Sequence, residues 1–164
     1  MKCFIIAAVS ADGFIARNEN EASFLWTSAE DKKRFIELTK KAGVIVAGSS
    51  TFATFKKPLK DRVNIVYSRS KTFEGAETTE DSPAALLKKL EMRGFSEVAI
   101  CGGAQIYSLF MKAGVVTSIF LTIEPVVFGS GIKLFSEEIR ARLRLVTTEK
   151  TEKGTLLLEY AVDN

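Results

Sequence analysis

The chain contains no histidine, which removes the usual general base and the commonest zinc ligand, so acid–base chemistry falls to carboxylates, Tyr, Lys or Cys. The acid that draws attention is Asp31, in Trp26-Thr27-Ser28-Ala29-Glu30-Asp31. Thr27 or Ser28 can cap a helix here, with Glu30 or Asp31 completing a capping box. That accounts for one carboxylate but less well for the second. Asp31 lies four residues before Phe35 and seven before Leu38, on the apolar face of the same helix, where a carboxylate is costly without a partner or ligand. Two readings stand: a functional acid in a site, or a first-turn acid stabilised by the helix dipole.

Two glycine-bearing strand ends offer a second kind of chemistry. In Cys101-Gly102-Gly103-Ala104-Gln105 an apolar strand ends in two glycines and a helix begins at once. Free backbone N–H groups at such a turn can hold a phosphate, although a tight turn also needs glycine for steric reasons. Gly48-Ser49-Ser50-Thr51-Phe52, and the strand 63–67 that runs into Ser68-Arg69-Ser70-Lys71, supply hydroxyls and two cations at neighbouring edges. Each alone is ordinary turn chemistry; three in one small chain point to a dinucleotide at the carboxyl edge of a sheet. In the basic stretch 56–62, Phe55, Leu59 and Arg62 are placed to line a groove mouth, with Arg62 offering a fork to a carboxylate.

The elements that would position these groups are readable. Short apolar runs at 3–9, 44–48, 63–67, 98–101 and 118–123 read as strands buried on both faces. Amphipathic stretches at 28–41, from Ser82-Pro83 to Gly94, and at 104–113 alternate with them. Segments 142–148 and 155–162 form an antiparallel hairpin through 149–154. This amounts to an α/β fold of three layers: a mixed, mostly parallel sheet of about eight strands, flanked by three or four helices. Length and 46% apolar content suit one domain over 1–164.

Lys plus Arg exceed Asp plus Glu by 23 to 20, too dispersed an excess for nucleic acid or a membrane surface, and suited to small anions. Cys3 and Cys101 sit in apolar runs without disulfide or zinc spacing. No targeting segment is visible in the first residues. The expectation is a cytoplasmic protein with no metal, acting as monomer or homodimer.

In this order and spacing the pieces resemble the dihydrofolate reductase family. The match is carried by Trp26, Asp31, Phe35, Gly48-x-x-Thr51-aromatic, Pro58-Leu59, Arg62, Asn64, Ser68-Arg69, Gly102-Gly103-x-x-Ile106-Tyr107 and Leu121-Thr122. The resemblance implies NADPH as cofactor and dihydrofolate as substrate. It implies that Asp31 binds the 2-amino group and N3 of the pterin, backed by Thr122, with Trp26 holding a water and Tyr107 near the nicotinamide. Ile6, Ala7, Phe35, Phe55, Leu59 and Cys101 would surround the substrate ring, and Arg62 would pair with the glutamate α-carboxylate. The cofactor would lie against Ala8, Ile15, Gly48, Ser49, Ser50, Thr51, Ser68, Arg69, Ser70, Cys101, Gly102, Gly103, Ala104, Gln105, Ile106 and Tyr107. Residues 9–22 would form a mobile cover.

Three departures qualify this. Ser49-Ser50 stands where the family often has a cation for the 2′-phosphate, which leaves Arg69 with Lys71. The cover, 16–26, is about three residues longer than the compact bacterial pattern, a change surface loops tolerate. Segments 9–13 and 125–131 look like the related reductase domain of riboflavin biosynthesis, which reduces 5-amino-6-(5-phosphoribosylamino)uracil. A third alternative is a nucleotide-binding module that kept the fold without the chemistry.

Overall fold

The computed structural model describes residues 1–163; Asn164, the last position of the expected domain, lies outside them. In chain order the elements are β1 (Lys2–Ser10), β2 (Phe14–Ala16), a 3-10 turn (Ser23–Leu25), α1 (Ala29–Ala42), β3 (Val44–Gly48), α2 (Ser49–Thr54), β4 (Val63–Tyr67) and β5 (Glu77–Thr79). They continue through α3 (Pro83–Met92), β6 (Glu97–Ile100), α4 (Ala104–Lys112), β7 (Ser118–Glu124), β8 (Ile132–Lys133), β9 (Arg142–Lys150) and β10 (Leu156–Asp163).

Eight strands make one sheet in the order β5-β4-β3-β6-β1-β7-β10-β9. Its first six strands run parallel; β10 pairs antiparallel with both β7 and β9. The period-two rule divides the core. Cys3, Ile5 and Ala7 of β1 pack with Leu86, Leu90, Ile106 and Phe110 from α3 and α4. Phe4 and Ile6 point the other way, toward Phe35, Leu38 and Ala42 of α1. The result is the three-layer arrangement expected from the alternating runs.

Local signals set the helix ends. Ser28 caps α1, its Oγ accepting from the Asp31 N–H at 3.2 Å, and Gly43 closes the helix in the left-handed conformation at φ 72°. Ser82 caps α3 in the same way with Pro83 behind it.

Two stretches differ from the sequence reading. Residues 49–54, read as a hydroxyl-rich strand end, wind into the short helix α2 behind Gly48. Residues 9–22, read as one mobile cover, are divided instead. Val9 and Ser10 belong to β1, and β2 pairs with β8 in a separate two-stranded ribbon. Between them the Asp12 carboxylate accepts from Ser10 Oγ (2.7 Å) and from the N–H groups of Phe128 (3.0 Å) and Gly129 (2.7 Å). The Ser10 hydrogen bond leads these contacts in holding the Asp12 carboxyl down at about 2. The turn after β1 is clamped to 125–131 because Asp12 satisfies N–H groups of that opposing turn.

Candidate functional site

The carboxyl ends of β3, β4 and β6 open into a cleft of about 1660 Å³, which also runs along β1 and the first turns of α1 and α4. Single-ligand pockets are roughly 300–1,000 Å³, so this one has room for two molecules side by side.

One half is a backbone cradle. Gly48 and Gly103 precede α2 and α4 as N-caps without side chains, so the first-turn N–H groups of these helices receive no side-chain cap. The Gly48 N–H donates to Gly102 O at 2.7 Å and ties the two strand ends together. A Cβ on Gly103 would stand 3.1 Å from Thr51 Oγ1; one on Gly102, at φ +114°, would stand 3.1 Å from the Tyr107 hydroxyl oxygen. Glycine therefore keeps the amino end of α4 open toward the cleft. Ser49, Ser50 and Thr51, then Ser68, Arg69, Ser70 and Lys71, continue the wall from β3 and β4. Hydroxyls, N–H groups and two exposed cations of this kind suit a nucleotide with phosphates.

The other half is apolar with an acid at its floor. Ile6, Ala7, Phe35, Phe55, Leu59 and Cys101 line it beside Asp31, while Ala8, Ile15, Ala104, Gln105, Ile106 and Tyr107 border both halves. Asp31 is 9% exposed. Its carboxyl does not close a capping box. Burial pushes its pKa up, opposed by the Thr122 and Thr27 hydroxyls and by Arg34, and reinforced by the Glu124 charge. Thr27 Oγ1 is buried and acts on Asp31 without a hydrogen bond of good geometry. Tyr107 donates its hydroxyl proton to Ile6 O at 2.8 Å, fixing α4 to β1.

Three expected site residues stand back from the wall. Thr122 lies behind Asp31 on β7. Trp26 packs edge-on against Phe128 at 4.9 Å with its Nε1 buried and unpaired. Arg62 does not extend the groove mouth beyond Leu59: its Nη1 donates to Thr39 Oγ1 (2.7 Å) and its Nε to Lys60 O (2.9 Å). Sequence reasoning missed one residue on the cleft wall and one buried away from it. Lys32 follows Asp31 and is exposed on the cleft wall near Phe24 and Ile36. Glu124 is buried at the end of β7, and the period-two alternation Phe120, Thr122, Glu124 was the signal that places it on Asp31's side of the sheet.

If Arg69 meets the 2′-phosphate, Arg69→Ala should raise the NADPH Kd about three- to fivefold and leave the NADH Kd unchanged. The loss should shrink in high salt because the contact is exposed. Cofactor fluorescence titration checks this, and equal losses for both cofactors would place Arg69 elsewhere.

Similarity to known proteins follows the geometry. The chain is 28% identical over 155 residues to the uncharacterized protein YwjB of Bacillus subtilis (strain 168), covering 87% of this chain and 89% of that one. It superposes on a putative riboflavin biosynthesis protein from Shewanella sp. PV-4 with a TM-score of 0.84 at 20% identity over the full length of both. A diaminohydroxyphosphoribosylaminopyrimidine deaminase/5-amino-6-(5-phosphoribosylamino)uracil reductase from Thermotoga maritima gives 0.79 at 17% identity, over 99% of this chain and 56% of that one. Residues 2–152 match the profile of the dihydrofolate reductase family, and with the cleft and its floor acid placed as they are, the chain belongs to that family.

Proposed function

We propose that this protein is an NADPH-dependent reductase of the riboflavin-pathway type, acting on a phosphoribosylamino-pyrimidine. The observation that carries the reading is the buried Asp31 carboxyl at the floor of the cleft, its pKa raised, across from the glycine cradle. NADPH bound in that cradle supplies a hydride. Reduction of the ribosylamino group also consumes one proton: C1′ gains the hydride, the C1′–O4′ bond breaks, and O4′ leaves as a hydroxyl. An acid whose pKa is raised by burial takes up and hands on that proton more readily than an exposed carboxyl would. Phe35 and Ile6 exclude water from the ring, and Gly102 and Gly103 let the pyrophosphate approach the backbone.

Lys32 and Arg62 favour the ribosyl phosphate over folate. Arg62 stands back from the cleft wall, with its Nη1 and Nε engaged by Thr39 Oγ1 and Lys60 O, although each of its amino groups keeps a free N–H. Lys32 instead offers an exposed cation on the cleft wall to an anionic substituent. The likeness to the Shewanella and Thermotoga proteins supports the same choice.

The second reading, dihydrofolate reduction, keeps the support of Asp31 itself, since a 2-amino-N3 edge also meets a buried carboxylate with two hydrogen bonds. Following NADPH oxidation with each substrate separates the two. Turnover of the pyrimidine and not of dihydrofolate is expected, and the reverse would overturn the proposal. Lys32→Met should then raise KM for the phosphorylated substrate about tenfold with little change in kcat, and leave the dephosphorylated substrate unaffected. Equal effects on both substrates would remove Lys32 from phosphate binding.

A further inference from the structure

Glu124 is 3% exposed and contributes nothing to the cleft wall, yet it is the best-bonded carboxylate near the site. Its Oε1 accepts from the Ser28 N–H and the Ser28 Oγ–H, both at 2.7 Å, and its Oε2 accepts from Thr155 Oγ1 at 2.8 Å. Ser28 Oγ in turn accepts from the Asp31 N–H. One hydroxyl thus bridges an acid on β7 to the backbone of the acid on α1, with Thr155 of the hairpin connection bracing the far side. Both carboxyl oxygens of Glu124 are thus engaged by groups able to donate. A buried charge held by three donors is costly to build and unnecessary for joining a helix to a strand, where an apolar contact would serve.

We infer that Glu124 is a positioning residue for the proposed reduction, fixing the first turn of α1 against β7 so that Asp31 faces the cleft with a second negative charge behind it. The inference rests on the reading of Asp31 as the acid of the site. Around Asp31 the charged and titratable groups are Glu124 from β7, Arg34 one turn along α1, and Tyr107 from α4. Arg34 is shared: it donates to Leu158 O (2.6 Å) and Leu121 O (3.3 Å), and Glu149 and Glu159 of the hairpin face it. Its charge therefore does not belong to Asp31 alone. Glu124, by contrast, is held by hydroxyl and N–H donors of Ser28 and Thr155, and its charge favours the proton on Asp31.

Glu124→Gln tests this, because the amide oxygen can still accept from Ser28 and the amide N–H₂ can donate to Thr155. The Asp31 carboxyl is titrated by carbon NMR, assigned with Asp31→Asn, and the pH profile of NADPH oxidation is recorded alongside. In Glu124→Gln the Asp31 midpoint should fall by roughly one pH unit, the scale of a screened charge a few ångströms away. The high-pH limb of the activity profile should move down with it. A variant that only loses thermal stability, with the Asp31 midpoint unmoved, overturns the inference. A shifted midpoint in a protein that turns over neither substrate sustains the positioning role and overturns the proposed reaction instead. If Glu124→Gln does not fold, Ser28→Ala removes the hydroxyl bridge while keeping the backbone N–H contact and both charges. The Asp31 midpoint should then stay raised while kcat falls, and an unchanged kcat overturns the inference.

Discussion

Asp31→Asn is expected to cut turnover by about 100-fold or more at neutral pH while making the folded protein more stable. The activity loss follows from chemistry: asparagine is nearly the same shape, but it can neither hold nor release the proton that accompanies the hydride, and positioned acids contribute about 10²–10⁴ in rate. The stability gain follows from linkage. Asp31 titrates higher in the folded chain than in the unfolded one, so the fold favours its protonated form. That advantage is complete below the unfolded pKa of 3.8 and is lost as the pH rises through the raised folded value. At neutral pH the wild type therefore carries a disfavoured ionised group, or pays to keep it protonated, and the asparagine variant does neither. Tm measured across pH should show the variant above wild type near pH 7, with the gap closing as the pH drops below the ordinary carboxylate range. A variant that turns over normally would remove Asp31 from the reaction. A variant less stable at every pH would make it a structural residue whose contacts to Thr27 and Thr122 matter more than its charge.

That double signature separates what the sequence discloses from what it hides. Asp31 was suspect because an acid occupied the apolar face of α1, and its burial comes from the same spacing that sends Phe35 and Leu38 toward β1 and β6. The strand ends at Gly48 and Cys101 were readable because a buried apolar run followed by glycine leaves few local conformations open. The short helix α2 was not, since six residues rich in Ser and Thr have little helical preference and form a helix only when docked, here by Phe52 against Ala47 and Val66. Arg62 shows a different limit. Residue type announces a carboxylate fork, but which neighbours take its donors depends on Thr39, 23 positions away in sequence. Glu124 was hidden in part: the alternation along β7 gives its side of the sheet, but only the arrival of Ser28 and Thr155 from distant segments makes its burial tolerable.

Gly131→Ala should detach the β2–β8 ribbon and impair the site without touching it. Gly131 sits at φ +150°, a backbone conformation that costs other residues about 1–3 kcal/mol. Its missing side chain is also needed: a Cβ built there collides with the Ala16 carbonyl oxygen and lies 3.3 Å from Arg17 Cα. Those atoms are backbone, so no side-chain rotation relieves the clash, and the two segments must separate. Ala16 pairs with Ile132 in the ribbon, and Ile15 and Ala16 line the cleft next to β1. Moving them opens one wall of the space where hydride transfer is proposed, which weakens orientation and admits water. The Asp12 clamp onto Phe128 and Gly129 is expected to hold the far end of the segment, limiting the damage to residues 14–17. The variant should lose about 2 kcal/mol or more of stability and at least about tenfold in kcat, with NADPH affinity less affected because the cradle at α4 is on a separate wall. Hydrogen exchange should show lost protection at the amides of β2 while those of β1 and β6 stay protected. Unchanged exchange in β2 with normal turnover would mean the ribbon tolerates the extra methyl group, and that the close approach of Gly131 to Ala16 is not what holds this wall of the cleft in place.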